Sequence, residues 1–340
     1  MKVAVLGAGY MGSAITFPLA DNDIVVNLWG TWLDDDIISM CRAGDHPKLK
    51  KPLHGDVNLF TSDQLQQAVQ GADAVFMAVS SEGFVPVFSK FIECKDVQDI
   101  RVFTLTKGLV DFRNTVERIS RVAAIMYEEK HGRKIFWASV GGPVKAPELA
   151  NSVPSLSIYG LNYSKGFDAN GFNTSYYRII TTDDVCGVEL CSCFKNVYAI
   201  TSGIVDGLYS GQIETMYHNF SALLFNQAIN EIKEIVVASG ANAETVYSPA
   251  CVGDLYVTAQ SGRNRKYGEL VGKGIDPEKA YRKMYSSQEI AEGYNALKLG
   301  YDYVKSLKIE NRLPLLGSLY DIVYRCADAR KTLTDFVAGF

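Results

Sequence analysis

Met1-Lys2-Val3-Ala4-Val5-Leu6-Gly7-Ala8-Gly9-Tyr10-Met11-Gly12-Ser13 decides the fold. Val3 to Leu6 is a short, continuous apolar run, as expected of a parallel strand covered on both faces. A complete G-x-G-x-x-G follows it directly, and Ser13 to Ala20 then reads as helix. The first glycine makes a tight turn, the second lets backbone approach a pyrophosphate, and the third packs the helix against the sheet. The helix N-terminus adds free N–H groups and a positive dipole end. Strand, motif and helix in that order predict a Rossmann-type dinucleotide-binding fold, with Gly7, Ala8, Gly9, Tyr10, Met11 and Gly12 at the coenzyme.

Outward from this start, Val25-Val26-Asn27-Leu28-Trp29 reads as the second strand. Its end is where an acidic residue would grip a ribose hydroxyl, but the chain has Trp29-Gly30-Thr31, with Asp34, Asp35 and Asp36 following and no basic residue before Arg42. A 2′-phosphate would meet acidic neighbours there, which favours NAD over NADP; the aspartates also fit a solvated helix start. Further strands are expected at Ala74–Val79, Val102–Thr106 and Ile135–Val140, ending at Ser80-Ser81, Lys107-Gly108 and Gly141-Gly142-Pro143. Ligands of doubly wound sheets gather beyond such strand ends. Lys107 would project there, although a solvated loop lysine fits the pattern equally well.

At 340 residues the chain suits two domains. It is 47% hydrophobic and 21% charged, with a net charge of -4. That balance argues against a nucleic-acid partner, which would call for a basic stripe. No apolar run approaches the ~18 residues of a membrane span, and the first residues lack signal-peptide architecture. Seven cysteines without a C-x-x-C pair read as reduced thiols of a cytoplasmic protein. Only four histidines are present and none lies near Cys191-Ser192-Cys193, so no metal is expected.

From about Asp183 the pattern turns helical. Asp183-Asp184 suits the cap of a helix carrying Cys186 to Gly203. More helices are expected at 218–239, 263–272, 276–284, 287–307 and 313–328, and Asn162 to Asn173 reads as a surface loop. The fold class is therefore α/β: a doubly wound sheet domain over 1–182, then an all-α substrate domain over 183–340.

Three clusters in the second half suggest chemistry. In Lys195-Asn196-Val197-Tyr198-Ala199-Ile200-Thr201-Ser202-Gly203-Ile204-Val205-Asp206, positions 195, 199, 202 and 206 share one helical face. A lysine with small neighbours can reach into a cleft, although snorkelling to the surface is the commoner fate of lysines. Asp254 and Thr258, four residues apart, share a face in Gly253-Asp254-Leu255-Tyr256-Val257-Thr258. Ser261-Gly262-Arg263-Asn264-Arg265-Lys266 places cationic donors at a helix start, as a phosphate monoester requires; a basic surface turn is the plainer reading.

In order and spacing the chain resembles the NAD-dependent glycerol-3-phosphate dehydrogenase family over almost its whole length. The likeness runs through Gly7–Gly12, Thr106-Lys107-Gly108, Gly142-Pro143 with Glu148, and Asp184-Val185 with Gly187-Val188-Glu189. It continues through Lys195-Asn196-Val197, Asp206-Gly207-Leu208, Gly253-Asp254-Leu255 with Thr258, Arg263-Asn264-Arg265 and Glu292-Gly293. The resemblance implies that Lys195 is the general acid to the carbonyl of dihydroxyacetone phosphate, positioned by Asp254, with Lys107 a second active-site lysine. It implies that Lys107, Asn196, Thr258, Arg263 and Asn264 hold substrate, the last two through its phosphate. Trp29, Ser80, Lys107, Arg263 and Glu292 join the glycine loop at the coenzyme, NAD with NADP possible. It assigns no role to Glu148 or Asp206, and it implies a homodimer.

Four departures stand out: Ser192-Cys193-Phe194 before Lys195, Ser80 in place of a proline, no arginine after Trp29, and an insertion at Tyr209–His218. The insertion leaves open another phosphorylated hydroxy compound as substrate. A non-catalytic NAD(H) sensor is the reading from a different class; a phosphate grip and a proton donor would be superfluous in it.

Overall fold

A computed structural model describes residues 1–95, 97–163, 168–211, 217–287 and 289–339. The chain divides into two compact units: unit 1 is Met1–Val110 with Arg118–Glu189, and unit 2 is Asp111–Glu117 with Leu190–Phe340.

Unit 1 is built on eight strands: β1 (Lys2–Leu6), β2 (Val25–Trp29), β3 (Val57–Phe60), β4 (Ala74–Met77), β5 (Arg101–Thr104), β6 (Phe136–Gly141), β7 (Ser155–Leu161) and β8 (Tyr177–Thr182). They form one sheet in the order β8-β7-β6-β5-β4-β1-β2-β3. Every neighbouring pair is parallel except β6 and β7, which run antiparallel with Ser139 opposite Gly160. The order reverses about β1, and β1 leads straight into the glycine loop and helix α1 (Tyr10–Ala20); α2 (Asp35–Ala43), α3 (Leu65–Val69), α4 (Ser81–Ile92), α5 (Ile119–His131) and α6 (Ala146–Ala150) follow in this unit. Val3, Val5, Val26, Leu28 and Phe76 are buried in the sheet core, and Phe76 stacks on Phe103 with centroids 5.0 Å apart. Burying one such side chain stabilises the fold by roughly 1.5–3 kcal/mol.

Two features depart from the sequence reading. Strands β3, β7 and β8 were not expected, and the last two carry the sheet past its antiparallel step. The expected surface loop over 162–173 instead turns inward at Phe172, which is 4% exposed and packs edge-on against Phe76; residues 164–167 of that loop lie outside the described residues.

Unit 2 is helical. Helix α7 (Val185–Leu208) starts in unit 1, where the Asp184 carboxylate accepts from the Gly187 N–H at 2.9 Å, and runs on through Lys195. It continues past Gly203, five residues beyond the expected end. Then come α8 (His218–Ala238), α9 (Asp254–Gln260), α10 (Arg263–Gly272), α11 (Pro277–Ser286), α12 (Glu292–Ser306), α13 (Pro314–Tyr324) and α14 (Ala329–Ala338). The helix expected from 287 starts at Glu292, and that expected to 328 stops at Tyr324, before α14. Residues 212–216, the middle half of the expected insertion, and residue 288 lie outside the described residues. Among the described residues, no helix is long and apolar enough to cross a membrane, and no three His, Cys, Asp or Glu side chains cluster as a metal site.

The three tryptophans, Trp29, Trp32 and Trp137, all fall in unit 1. Unit 2 carries instead a run of stacked tyrosines: Tyr281 lies 4.1 Å from Tyr294, Tyr294 contacts Tyr324, Tyr324 contacts Tyr320, and Tyr320 stacks on Tyr301 at 4.0 Å.

Candidate active site and coenzyme loop

In unit 2, Lys195 is only 6% exposed and Asp254 3%. The Lys195 ammonium donates to Asp254 Oδ1 at 2.7 Å and to Thr258 Oγ1 at 2.8 Å. The Thr258 hydroxyl is 3.5 Å from the same carboxylate oxygen. One turn of α9 thus presents both partners to one lysine, as their four-residue spacing predicts. Removing one partner of so buried a pair leaves an uncompensated charge and costs about 3–5 kcal/mol.

Glycines bring the phosphate-type cluster to this lysine. A Cβ on Gly203 of α7 would sit 1.9 Å from the Arg265 carbonyl oxygen, and one on Gly207 2.3 Å from that of Glu269. Reciprocally, a Cβ on Gly268 of α10 would lie 2.1 Å from the Ile200 carbonyl oxygen, and one on Gly272 2.2 Å from that of Ile204. No side chain fits in this seam, so α7 and α10 touch backbone to backbone. Each such glycine costs roughly 1 kcal/mol in helix propensity against alanine; the close approach offsets it. The signal was a G-x-x-x-G in each helix, Gly203/Gly207 and Gly268/Gly272, which the sequence reading passed over.

At the start of α10 the basic run separates by role. Arg265 pairs with Asp206 at 2.6 Å, and Lys266 pairs with Glu289. Burial raises the Asp206 carboxyl above its ordinary value, with Arg265 opposing the shift. Asn264 donates from Nδ2 to Asn196 Oδ1 at 3.0 Å and accepts from the Gly293 N–H at 2.8 Å, so it ties α7 to the start of α12. A Cβ on Gly293 would collide with the Asn196 carbonyl oxygen at 2.5 Å. Arg263 is half exposed and meets Glu292 at 3.3 Å; Glu292 also lies 3.5 Å from Asn196 Nδ2. The first intrahelical bond of α10 is Lys266 N–H to Gly262 O at 3.0 Å, so the backbone N–H groups of Arg263, Asn264 and Arg265 precede it. Two polar groups thus meet at neighbouring residues of α7: Lys195 with Asp254 and Thr258, and Asn196 with Asn264, Glu292 and Arg263.

Unit 1 carries the glycine loop. Gly7 has φ +115°, which a side chain rarely adopts, and a Cβ on Gly12 would lie 2.0 Å from the Gly7 carbonyl oxygen. A Cβ on Gly9 would meet nothing within 4 Å. That open ground at the N-terminus of α1 fits a dinucleotide pyrophosphate. Tyr10 is exposed and Met11 half-buried at the first turn of α1. Ala8, between the first two glycines, is fastened by side chains the motif does not contain. The Ser13 hydroxyl donates to its carbonyl at 3.1 Å. His46 is fully buried, accepts from the Lys48 and Leu49 N–H groups on Nδ1, and donates from Nε2 to the same carbonyl at 3.1 Å. Burial holds the imidazole below its usual titration range.

The remaining expected residues of unit 1 take different positions. Trp29 is 1% exposed and meets the loop through its carbonyl, which accepts from the Gly7 N–H at 2.8 Å. Ser80 precedes α4 (Ser81–Ile92), and its Oγ accepts from the Gly83 N–H at 3.2 Å. Lys107 is partly exposed on the loop after β5, which Thr106 ties to the Val79 carbonyl at 2.8 Å. Glu148 is exposed and lies 3.7 Å from Lys145. Glu189 is buried and accepts from the Ser120 N–H at 2.8 Å and from Arg118 at 3.3 Å, at the start of the helix Ile119–His131.

Comparison with known proteins identifies the family. Family models described as the NAD-dependent glycerol-3-phosphate dehydrogenase N-terminus and C-terminus match residues 2–165 and 184–334. An NADP(+)-dependent glycerol-3-phosphate dehydrogenase of Archaeoglobus fulgidus is 32% identical over 95% of both chains. A glycerol-3-phosphate dehydrogenase [NAD(P)+] of Clostridium botulinum is 28% identical over 99% of this chain and 97% of its own. The crystal structure of the glycerol-3-phosphate dehydrogenase of Coxiella burnetii superposes with a TM-score of 0.84 at 26% identity, covering 99% of this chain and 98% of that one. The chain belongs to the NAD-dependent glycerol-3-phosphate dehydrogenase family.

Proposed function

We propose that the chain interconverts sn-glycerol 3-phosphate and dihydroxyacetone phosphate by hydride transfer with NAD(P)(H), and that Lys195 carries the proton. The observation that bears this reading is the buried Lys195–Asp254–Thr258 group, with the next residue of α7, Asn196, bonded by Asn264 at the start of α10. The bound nicotinamide supplies or accepts the hydride. In reduction the carbonyl oxygen gains negative charge, and the Lys195 ammonium gives it a proton; in oxidation the amine takes that proton back. Asp254 and Thr258 keep the ammonium in place, and its positive charge, shielded from water, stabilises the developing alkoxide.

Arg263 and the first N–H groups of α10 hold the phosphate, with Asn264 bracing them and Asn196 meeting the substrate. Lys107 is the second cation at the reacting oxygen, a role that rests on the family resemblance. Gly7 to Gly12 hold the coenzyme pyrophosphate, and Trp29, Ser80, Arg263 and Glu292 complete the coenzyme contacts. The reading also places the protein in the cytoplasm as a homodimer, which light scattering tests for assembly. The deciding assay is oxidation of NADH and NADPH with dihydroxyacetone phosphate beside a panel of other phosphorylated ketones. Turnover of dihydroxyacetone phosphate above the panel is expected. A better substrate in the panel overturns the choice, and binding without turnover returns the sensor reading.

A further inference from the structure

We propose that His46 is a positioning residue for the coenzyme: its imidazole holds the Ala8 carbonyl inward and so turns the Gly9 N–H outward, towards the pyrophosphate. The inference rests on the coenzyme site proposed above and deepens it, because the glycine motif itself carries no group that sets the direction of this peptide.

That direction follows from the peptide bond. The Ala8–Gly9 bond is trans, and in a trans peptide the C=O of one residue and the N–H of the next point opposite ways. Ala8 is fully buried, and its carbonyl accepts from His46 Nε2 and from the Ser13 hydroxyl, each at 3.1 Å. Both donors are fully buried as well. The Gly9 N–H is therefore turned away from them. Gly9 is half-buried, and a Cβ there would meet nothing within 4 Å. The N–H groups of Tyr10, Met11 and Gly12 precede the first intrahelical bond of α1, Ser13 N–H to Gly9 O at 3.0 Å. A diphosphate at Gly9 thus meets one donor aimed by His46 and Ser13, beside those of the helix terminus.

The imidazole is fixed in its task. Nδ1 accepts from the Lys48 N–H at 3.2 Å and from the Leu49 N–H at 3.1 Å, so the proton sits on Nε2 and points at Ala8. Turning the ring would strand backbone groups of Lys48, Leu49 and Ala8 together. The backbone of His46 is braced in turn. It pairs with Lys51 in a short antiparallel ribbon, Asp45–His46 with Lys51–Pro52. Lys51 Nζ donates to the Ala150 carbonyl of α6 at 2.6 Å and lies 4.6 Å from the ring centroid of Phe17 on α1. Ser13 belongs to α1 and moves with the loop. His46 comes from a separate ribbon and ties the loop to the body of unit 1.

The test is calorimetric titration of the full chain with NADH and with ADP, on wild type, His46→Leu, His46→Gln and Ser13→Ala, beside urea unfolding of each. ADP carries the diphosphate without the nicotinamide. His46→Leu is expected to weaken NADH and ADP alike, by ~10-fold. His46→Gln, whose amide N–H can replace Nε2–H, is expected to recover most of that loss. Ser13→Ala removes the other donor to the same carbonyl and is expected to weaken both ligands by ~3-fold or more; it decides the matter should His46→Leu fail to fold. A contact that merely satisfies a buried carbonyl would lower stability and leave affinity alone. That result, weakening of NADH without ADP, or a glutamine variant no better than leucine overturns the assignment and leaves the dehydrogenase reading standing. No binding of NADH to wild type overturns the coenzyme site itself, and the assignment with it.

Discussion

Both units depend on glycine for close approach, but to different neighbours. In unit 1 the absent Cβ of Gly12 would lie 2.0 Å from the Gly7 carbonyl oxygen, in a loop that leaves ground open above Gly9. In unit 2 the absent Cβ of Gly203 would lie 1.9 Å from a carbonyl oxygen of a whole packed helix. The two distances are nearly equal, yet a loop can shift locally, whereas a helix must move as a body and take its core with it. The first set of glycines leaves the open ground where the proposed reading puts the coenzyme; the second makes room for the protein itself and sets where Lys195 and Arg263 stand.

That contrast can be broken by substitution. The largest effect is expected from Lys195→Ala, a fall in kcat of about 10²–10⁴-fold, with NADH binding by calorimetry unchanged because the loop is untouched. Next, Gly268→Val should destabilise unit 2 by about 3 kcal/mol or more, read by urea unfolding. Gly12→Val should instead weaken NADH binding on the order of 100-fold, about 2.7 kcal/mol, with a smaller change in unfolding. If the two valine variants were equally destabilised, the distinction between a yielding loop and an unyielding seam would be lost.

Arg263→Ala should act more gently, raising the KM for dihydroxyacetone phosphate by ~10–100-fold with kcat less affected, since in the proposed reading it would hold the non-reacting end of the substrate. The smallest effect concerns His46. Its folded-state pKa lies below the ordinary 6.5, so below that pH the unfolded chain takes up a proton that the folded chain refuses. Stability therefore falls as pH drops below about 6.5, by at most roughly 1.4 kcal/mol per unit from this group. His46→Asn should flatten that slope in urea unfolding measured between neutral and mildly acidic pH.

Local order was what the sequence made legible. Strand, glycine motif and helix occupy one continuous run at Val3–Ala20, and Asp254 with Thr258 declares itself by a four-residue spacing. The seam did not, because Gly203 and Gly268 lie far apart in the chain and each alone reads only as a weak spot in a helix. His46 was missed for the same reason: nothing in its neighbours points to the Ala8 carbonyl. The basic run at Arg263–Lys266 was legible as a cluster but not as a division of labour, since Asp206 and Glu289, the partners of Arg265 and Lys266, come from other segments. Strands β7 and β8 were hidden because they follow an antiparallel step rather than the β-α-β rhythm of the first half.

The placement of the aromatic residues gives the molecule two optical channels. All three tryptophans are in unit 1, and the Trp29 carbonyl accepts from the Gly7 N–H of the glycine loop. Unit 2, with its stacked tyrosines and no tryptophan, absorbs without contributing tryptophan emission. Selective excitation of indole thus follows unit 1 alone, and tyrosine difference absorbance is weighted towards unit 2. In one denaturation experiment on the unlabelled chain, the order in which those two signals change reports which unit lets go first.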